Sequence, residues 1–336
     1  MPFTAIGAPP AGRSSIPRSQ NALPNAMIGL RLVVFTAWLH YAVGVSVNNL
    51  VRMVSAFSSF TISAGGLTQS WRALAEILRP LYCYLGERAA HSAILHVDET
   101  GWRINGTTFW LWCFTTRQFC YYLISKCRGS PVVQQVLGIL FAGILICDFW
   151  GAYNKITALA KQRCFYHLFT ELAKVDKHNP SAAWKAFRKQ LSRLLKDALR
   201  LSNMRCHMDV QHYHVRRTRL SDRLEQLLSI IPKDRDVSRL IKRLRRHKQE
   251  LFTFLDYPDV SPYNNHAEQQ MRKPVLTRRV SQQNRSDEGA QTQAILMSLF
   301  RTAELQAQNP LETILTMAKM TIEKKDPIPV LFKQAA

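Results

Sequence analysis

Asn105-Gly106 stands between two runs of aromatic and β-branched residues, and it constrains the fold more than any other feature of the chain. A type I′ turn needs φ > 0 at both central residues, which Asn and Gly tolerate, so this dipeptide predicts a tight hairpin. The flanking runs are Ala93 to Asp98 and Thr108 to Thr116, and a third run, Gln118 to Ser125, follows a turn near Arg117. Three consecutive strands make a meander. A helix from Pro131 to Leu137 comes next, then a fully apolar strand, Gly143 to Cys147, that ends at Asp148.

Meander, helix, then buried strand is the order of a ribonuclease-H-like α/β core. The rest of the chain reads as helical. Residues 27–92 are expected to form an all-α region in which Ser46 to Phe57 is one helix, with Val47, Leu50, Val51, Val54 and Phe57 on its apolar face. Ser63 is placed to cap a second helix carrying Leu67, Trp71, Leu74 and Leu78. The pair has the outline of a helix-turn-helix for DNA contact.

From 178 to 255 the texture is helical and basic. One face is marked by Trp184, Phe187, Leu191, Leu194, Leu195 and Leu201. A second runs through Leu220, Leu224, Leu227, Leu228 and Ile231, and a third through Val237, Leu240, Ile241, Leu244 and Leu251. Helices are also expected through Asn264 to Arg272, through Gln291 to Leu305, and from Asn309, where Asn309, Pro310 and Glu312 make a start signal. Residues 1–26, rich in Pro, Ala, Ser and Gly, read as a disordered leader. The expected organisation is then a catalytic α/β domain over 93–177 and 256–320, the basic helical insertion 178–255, and a tail from 321 to 336.

Charge narrows the partners. Lys and Arg number 45 against 23 Asp and Glu, a formal net charge of +22, so polyanions are the default partners, nucleic acid first. The stretch 181–250 alone holds 19 Lys and Arg against 7 Asp and Glu. Seven cysteines without a C-x-x-C pair argue for a reducing compartment and against a structural zinc. Leu137 to Cys147 is too short to span a bilayer. Met27 to Val47 is long enough but holds Arg31 and His40, and no clean cleavage site follows it. A cytoplasmic, nucleoid-associated protein with no membrane partner is expected.

An acid at the end of an apolar strand is costly unless something compensates its charge. Asp98 and Asp148 both end such strands, and two acids on adjacent strands point to a shared cation. Glu268, in Asn264-Asn-His-Ala-Glu-Gln-Gln-Met-Arg272, is the third candidate. Two carboxylates from strands and one from a helix suit two Mg²⁺ (or Mn²⁺) ions about 4 Å apart across a scissile phosphate.

The segments His96-Val-Asp-Glu-Thr-Gly-Trp-Arg-Ile-Asn-Gly106, Cys147-Asp-Phe-Trp-Gly-Ala-Tyr153, Gln162-Arg-Cys-Phe-Tyr-His167, Asn264-Asn-His-Ala-Glu268 and Asn284-Arg-Ser-Asp-Glu-Gly-Ala290 resemble the signature blocks of insertion sequence 66 family transposases. They stand in the family's order, over roughly residues 30 to 320. The resemblance implies a ribonuclease-H-like catalytic domain with an Asp-Asp-Glu (DDE) triad, Mg²⁺ dependence, and DNA transposition (recombination) at the inverted repeats of a mobile element. The family's catalytic positions fall on Asp98, Asp148 and Glu268. Longer relatives carry a coiled-coil-like region and a cysteine-rich segment ahead of this core, so the chain resembles the C-terminal catalytic part of the pattern.

Further expectations follow for single residues. Arg216, Arg217, Arg219, Lys242, Arg243, Arg245 and Arg246 are expected mostly on the outside of the basic insertion, against DNA backbone. Arg272, Arg278, Arg279 and Arg285 are further phosphate contacts, and His167 is an active-site neighbour by its family block. Glu99 is a reserve ligand that faces away from Asp98 if the strand continues. Trp102, Trp110 and Trp112 are expected to pack the hairpin. The expected partners are double-stranded DNA at element ends and target, accessory proteins of the same element, and further copies of the chain on DNA. Two other readings compete: a DNA-binding remnant that does not cut, and a cellular nuclease on the same fold.

Overall fold

The computed structural model describes residues 28–58, 61–281 and 283–332, so the leader expected over 1–26 lies outside the described residues. A helical segment comes first: α1 (Leu30–Trp38), running on through a π turn, then α2 (Val47–Phe57) and α3 (Ala64–Ala90). The sheet elements follow as β1 (Ile94–Ile104), β2 (Thr107–Thr115), β3 (Cys120–Ser125), α4 (Ser130–Leu137), β4 (Leu140–Cys147) and β5 (Thr157–Arg163). Next come α5 (Phe165–Asp176), α6 (Ala182–Asn203), α7 (Val210–Ser229), α8 (Arg235–Arg246) and the short α9 (Thr253–Asp256). The chain closes with α10 (Asn265–Ser281), α11 (Asp287–Leu305), α12 (Pro310–Ile322) and the short α13 (Ile328–Leu331). Among the described residues no helix is long and apolar enough to cross a membrane.

The strands form one mixed sheet in the order β3-β2-β1-β4-β5. β1, β2 and β3 are the antiparallel meander, while β4 runs parallel to both β1 and β5. Asn105 and Gly106 take φ of 46° and 76°, the turn that their sequence predicted. A two-residue turn pairs the residues directly beside it, here Ile104 with Thr107. β1 therefore runs six residues beyond Asp98, and this acid lies in mid-strand instead of at a strand end. β5 was not legible, because its last residues, Lys161, Gln162 and Arg163, are polar.

Each face of the sheet carries its own core. Leu95, Val97, Leu145 and Cys147 point to one side, where Leu30, Trp71, Leu78 and Leu85 of the first helices meet Leu296, Leu299 and Ile314 of α11 and α12. Ile144 and Ile146 point to the other, against Phe165, Leu191, Leu195, Leu240 and Phe254. The alternation is the two-residue period of a strand. All three apolar faces of the basic stretch end in this second core, except that Ile231 lies past the end of α7 and is 92% exposed. In α2 Leu50 is buried and Val47, Val51 and Val54 are half-buried, Val47 and Val51 against the first core, so the expected face is covered except at Phe57, which is 88% exposed.

Caps read from sequence are present. The hydroxyl of Ser63 accepts from Gly66 N–H, and Asn309 accepts from Leu311 and Glu312 N–H; Ser46, read as part of a helix, instead caps α2 by accepting from Asn49 N–H. Edge strand β3 is shielded by α11, as Cys120 and Tyr122 donate their N–H groups to Thr302 and Ser298 hydroxyls.

Gly143 sets how closely β4 can approach the start of β1. A Cβ there would overlap the carbonyl oxygen of Ser92, while the next residue, Ile144, donates to Ala93 O at 2.8 Å. Gly143→Ala is expected to destabilise the protein by about 3 kcal/mol, since backbone must move. Urea unfolding checks this, and a loss below about 0.5 kcal/mol would mean that the approach is not tight.

Candidate active site

β1 and β4 pair in parallel with His96 opposite Ile146. Two residues further on, the same register brings Asp98 level with Asp148, one strand spacing of about 4.8 Å across the sheet. Equal parity sends both side chains to the face that carries Ile144 and Ile146. Asp98 Oδ1 accepts the Glu99 N–H at 3.0 Å. Burial, then the negative charges of Glu99, Asp148 and Glu268, push the Asp98 carboxyl up to about 8. Asp148 is half-buried; its Oδ1 accepts from Trp150 N–H at 2.8 Å.

Glu268 reaches this place on the first turn of α10, and Asn264 holds that turn. The fully buried Asn264 donates from Nδ2 to Val97 O at 2.9 Å and places Oδ1 3.1 Å from His96 Nδ1. Its backbone N–H meets Cys164 Sγ at 3.1 Å. Two residues on, His266 Nε2 lies 2.6 Å from Thr116 O and 3.2 Å from Thr115 Oγ1. The helix is thus stapled to β1 one residue before Asp98 and to the end of β2. Glu268 Oε1 is sealed from solvent with no hydrogen-bond partner, and His167 Nδ1, also without one, is 3.8 Å away.

The sequence profile of the Transposase IS66 family matches residues 25–292. The chain belongs to the IS66 transposase family. Among curated proteins none matches it. Family membership makes this protein a transposase and DNA its partner.

In this IS66-family transposase the neighbours of the three acids are the residues that sequence reasoning passed over. Arg163 has a fully buried side chain whose guanidinium donates to Asp148 O at 2.7 Å, Asn154 Oδ1 at 2.9 Å and Glu250 Oε2 at 2.5 Å. Burial alone would raise the Glu250 carboxyl; the His247 hydrogen bond and the Arg163 charge outweigh it and hold Glu250 at about 2. Gln162 adds bonds to Leu251 O and Phe254 N. The far end of the basic stretch is so fastened to the end of β5, beside Asp148. Arg163 and Asn264 both lie inside recognised sequence blocks, which was the available signal.

β1 continues past Asp98, so Glu99 does face away. Its side chain is 2% exposed, bonded to Tyr153 OH at 2.5 Å and to Arg128 at 3.1 Å. Burial and the Asp148 charge raise it to about 7 against those two partners. Arg128 itself lies between the rings of Trp110 and Trp150, 4.2 Å from each centroid. Trp102 and Trp112 are buried, with indole N–H groups on Asn284 Oδ1 and Cys127 O.

The basic residues divide. Arg216, Arg219, Lys242, Arg246, Arg272, Arg279 and Arg285 are exposed. Arg217 pairs with Asp256 at 2.9 Å, and Arg245 donates to Leu228 O at 2.9 Å. Arg243 pairs with Glu171 and sits over Phe149, close enough for the Asp148 charge to support its own. Arg278 is half-buried and donates to Gly101 O. Of the seven basic-stretch residues expected mostly on the outside, Arg216, Arg219, Lys242, Arg245 and Arg246 are exposed and Arg217 and Arg243 are half-buried.

The Asp98 shift predicts how stability depends on pH. An unfolded carboxyl near 3.8 and a folded one near 8 mean that the folded state holds the proton longer. Stability should fall as pH rises from about 4 to about 8. In chelator, Asp98→Asn should flatten this slope to the smaller part that Glu99, raised to about 7, contributes, and should be more stable than the parent at pH 8, on the order of 4 kcal/mol. Parallel urea-unfolding profiles for the two proteins across that range would contradict the shift.

Proposed function

We propose that the chain is a DDE transposase on a ribonuclease-H-like core. It cuts phosphodiester bonds at the inverted-repeat ends of a mobile element and joins the 3′ ends to target DNA. The observation that carries this reading is the convergence of three acids. Asp98 and Asp148 stand level on adjacent parallel strands, and Glu268 comes from a helix that Asn264 ties to the same strand. The sheet order, a meander extended by two parallel strands, supports the core assignment.

A hard divalent cation, Mg²⁺ or Mn²⁺, fits the donors. Glu268 Oε1 is buried with no hydrogen-bond partner, and Asp98 is pushed up by burial and then by negative neighbours, whose charge a cation would offset. Asp98, Asp148 and Glu268 would hold two such ions. Bound there, they supply the charge that activates water or a 3′-hydroxyl and stabilises the leaving oxygen. Asp98 must give up its proton for this, so loading should release protons and strengthen with pH. Arg163 fixes the Asp148 backbone, and Asn264 fixes the level of Glu268 against β1.

The exposed cations of the stretch 178–255 and of α10 are assigned to DNA backbone, with α8 bringing Arg243 beside Asp148. In this reading 93–177 and 256–320 form the catalytic domain, and 178–255 is an insertion ahead of the Glu268 helix. The helices over 27–92 are a second DNA contact, and copies of the chain act together on the two element ends.

Asp98→Asn, Asp148→Asn and Glu268→Gln should each lower metal-dependent nicking of inverted-repeat DNA at least 1,000-fold, about 4 kcal/mol of barrier. Folding and DNA affinity should be largely retained. A variant that nicks like the parent is not part of the triad.

For the basic stretch the measurement is DNA affinity against salt. Replacing Arg216, Arg219, Lys242 and Arg246 by Gln should weaken binding to all duplexes alike and flatten the slope of log K against log salt by about 3–4 units. An unchanged slope would mean that these four side chains meet only solvent.

A further inference from the structure

Beside the three acids, the first turn of α5 meets the first turn of α10. There Cys164, His167 and Glu268 each offer one ligand atom, and all three atoms lie within 4.8 Å of one another. Among the described residues, this is the group of three possible metal ligands drawn so close. Cys164 is the N-cap of α5 and His167 stands one turn on, so a single helix start presents both side chains on the same side. The Asn264 N–H on Cys164 Sγ fixes the sulfur against the helix that carries Glu268.

Two of the three ligand atoms are unsatisfied. His167 Nδ1 and Glu268 Oε1 are shut off from solvent without a hydrogen-bond partner, and at 3.8 Å they are too far apart to bond to each other. The side chains that carry them are 35% and 29% exposed, which leaves an approach for a small ion.

The donor set selects the ion. Mg²⁺ takes oxygen ligands, whereas a sulfur, an imidazole nitrogen and one carboxylate oxygen are the ligands of Zn²⁺ and similar borderline ions. Around tetrahedral Zn²⁺ such atoms stand about 3.4–3.7 Å apart, so a modest closure of the three side chains suffices. Thiolate and carboxylate together match the charge of a divalent ion. The absence of C-x-x-C pairs excluded a cysteine-framed zinc, but not a Cys-x-x-His turn completed by an acid from a distant helix.

We propose that Cys164, His167 and Glu268 form a site for a zinc-class divalent ion, distinct from the oxygen-only site at Asp98 and Asp148. An ion there takes up Glu268 and so withdraws it from those two acids. The site stands on ligand geometry alone; only its effect on DNA cutting rests on the reading of Glu268 as the third acid. Two metal chemistries then compete for one carboxylate, and the site is inhibitory.

Co²⁺ titration of the full chain tests the site without any DNA reaction. One equivalent should bring a thiolate-to-cobalt charge-transfer band and the intense ligand-field bands of a four-coordinate ion. Excess Mg²⁺ should not remove them. Cys164→Ser, which keeps the six other cysteines, should abolish the charge-transfer band, and His167→Gln should weaken Co²⁺ binding at least tenfold. Asp98→Asn should leave the spectrum as it is. Absence of the band in the folded parent, or its survival in Cys164→Ser, would overturn the site; if Cys164→Ser does not fold, normal Co²⁺ affinity in His167→Gln overturns it equally.

The inhibitory effect has its own readout, the ratio of Mg²⁺-dependent nicking rates with and without one equivalent of Zn²⁺. It should fall at least tenfold in the parent and stay near one in His167→Gln. Equal Zn²⁺ sensitivity in both would overturn the competition for Glu268 and leave the site standing. Failure of the parent to nick in Mg²⁺ alone would count against the transposase chemistry and not against the cobalt spectrum.

Discussion

Two carboxyl groups level with each other on adjacent parallel strands repel, and much of the structure is arranged around that repulsion. At one strand spacing, in a half-buried setting, two like charges interact by several kcal/mol. The fold does not avoid the conflict: it adds Glu268 to the same region, and burial first, then the neighbouring negative charges, leave Asp98 protonated up to about pH 8. Packing on both faces of the sheet holds the acids where they would not remain by themselves. Such an arrangement lowers the stability of the bare protein.

The holding groups are polar and buried. Arg163 could not stay charged in the interior without Glu250, Asn154 and the Asp148 carbonyl, and removing one partner from such a pair costs about 3–5 kcal/mol. Asn264 has the same role on the helix side, with both amide atoms engaged. Each joins segments far apart in the chain at a point next to an acid. The network thus serves position more than net stability, since an apolar replacement of similar volume would pack as well but leave the acids unplaced.

The two sides of β1 show how burial sorts similar residues. Asp98 and Glu99 are adjacent acids, yet Glu99 faces Arg128 and the Tyr153 hydroxyl, which partly offset its burial. Asp98 has a single backbone N–H and other acids around it. One residue of strand therefore separates an acid held by an ion pair from one left among other acids, because successive side chains point to opposite faces. Beyond Glu268, the imidazole of His167 and the thiol of Cys164 extend the polar surface with softer donors, which gives this carboxylate two possible allegiances.

By itself the sequence determined what depends on neighbours a few residues away. Asn105-Gly106 specified a hairpin, Ser63 and Asn309 specified helix starts, and the apolar spacing of α6, α7 and α8 specified which faces are buried. Asp98 and Asp148 stood out as acids after apolar strands and Glu268 as an acid after an Asn pair, and the transposase blocks fell on the same three residues. Tertiary structure alone decided the rest. β5 is a strand because Gln162 and Arg163 find partners in Glu250, Leu251 and Phe254, roughly 90 residues away, and no local pattern encodes those partners. Arg217 and Arg243 look in sequence like the exposed arginines beside them, but Asp256 and Glu171 claim them once the helices pack. The meeting of Cys164, His167 and Glu268 is of the same kind, because turn chemistry and periodicity act along the chain whereas ligand sets and ion pairs form across it.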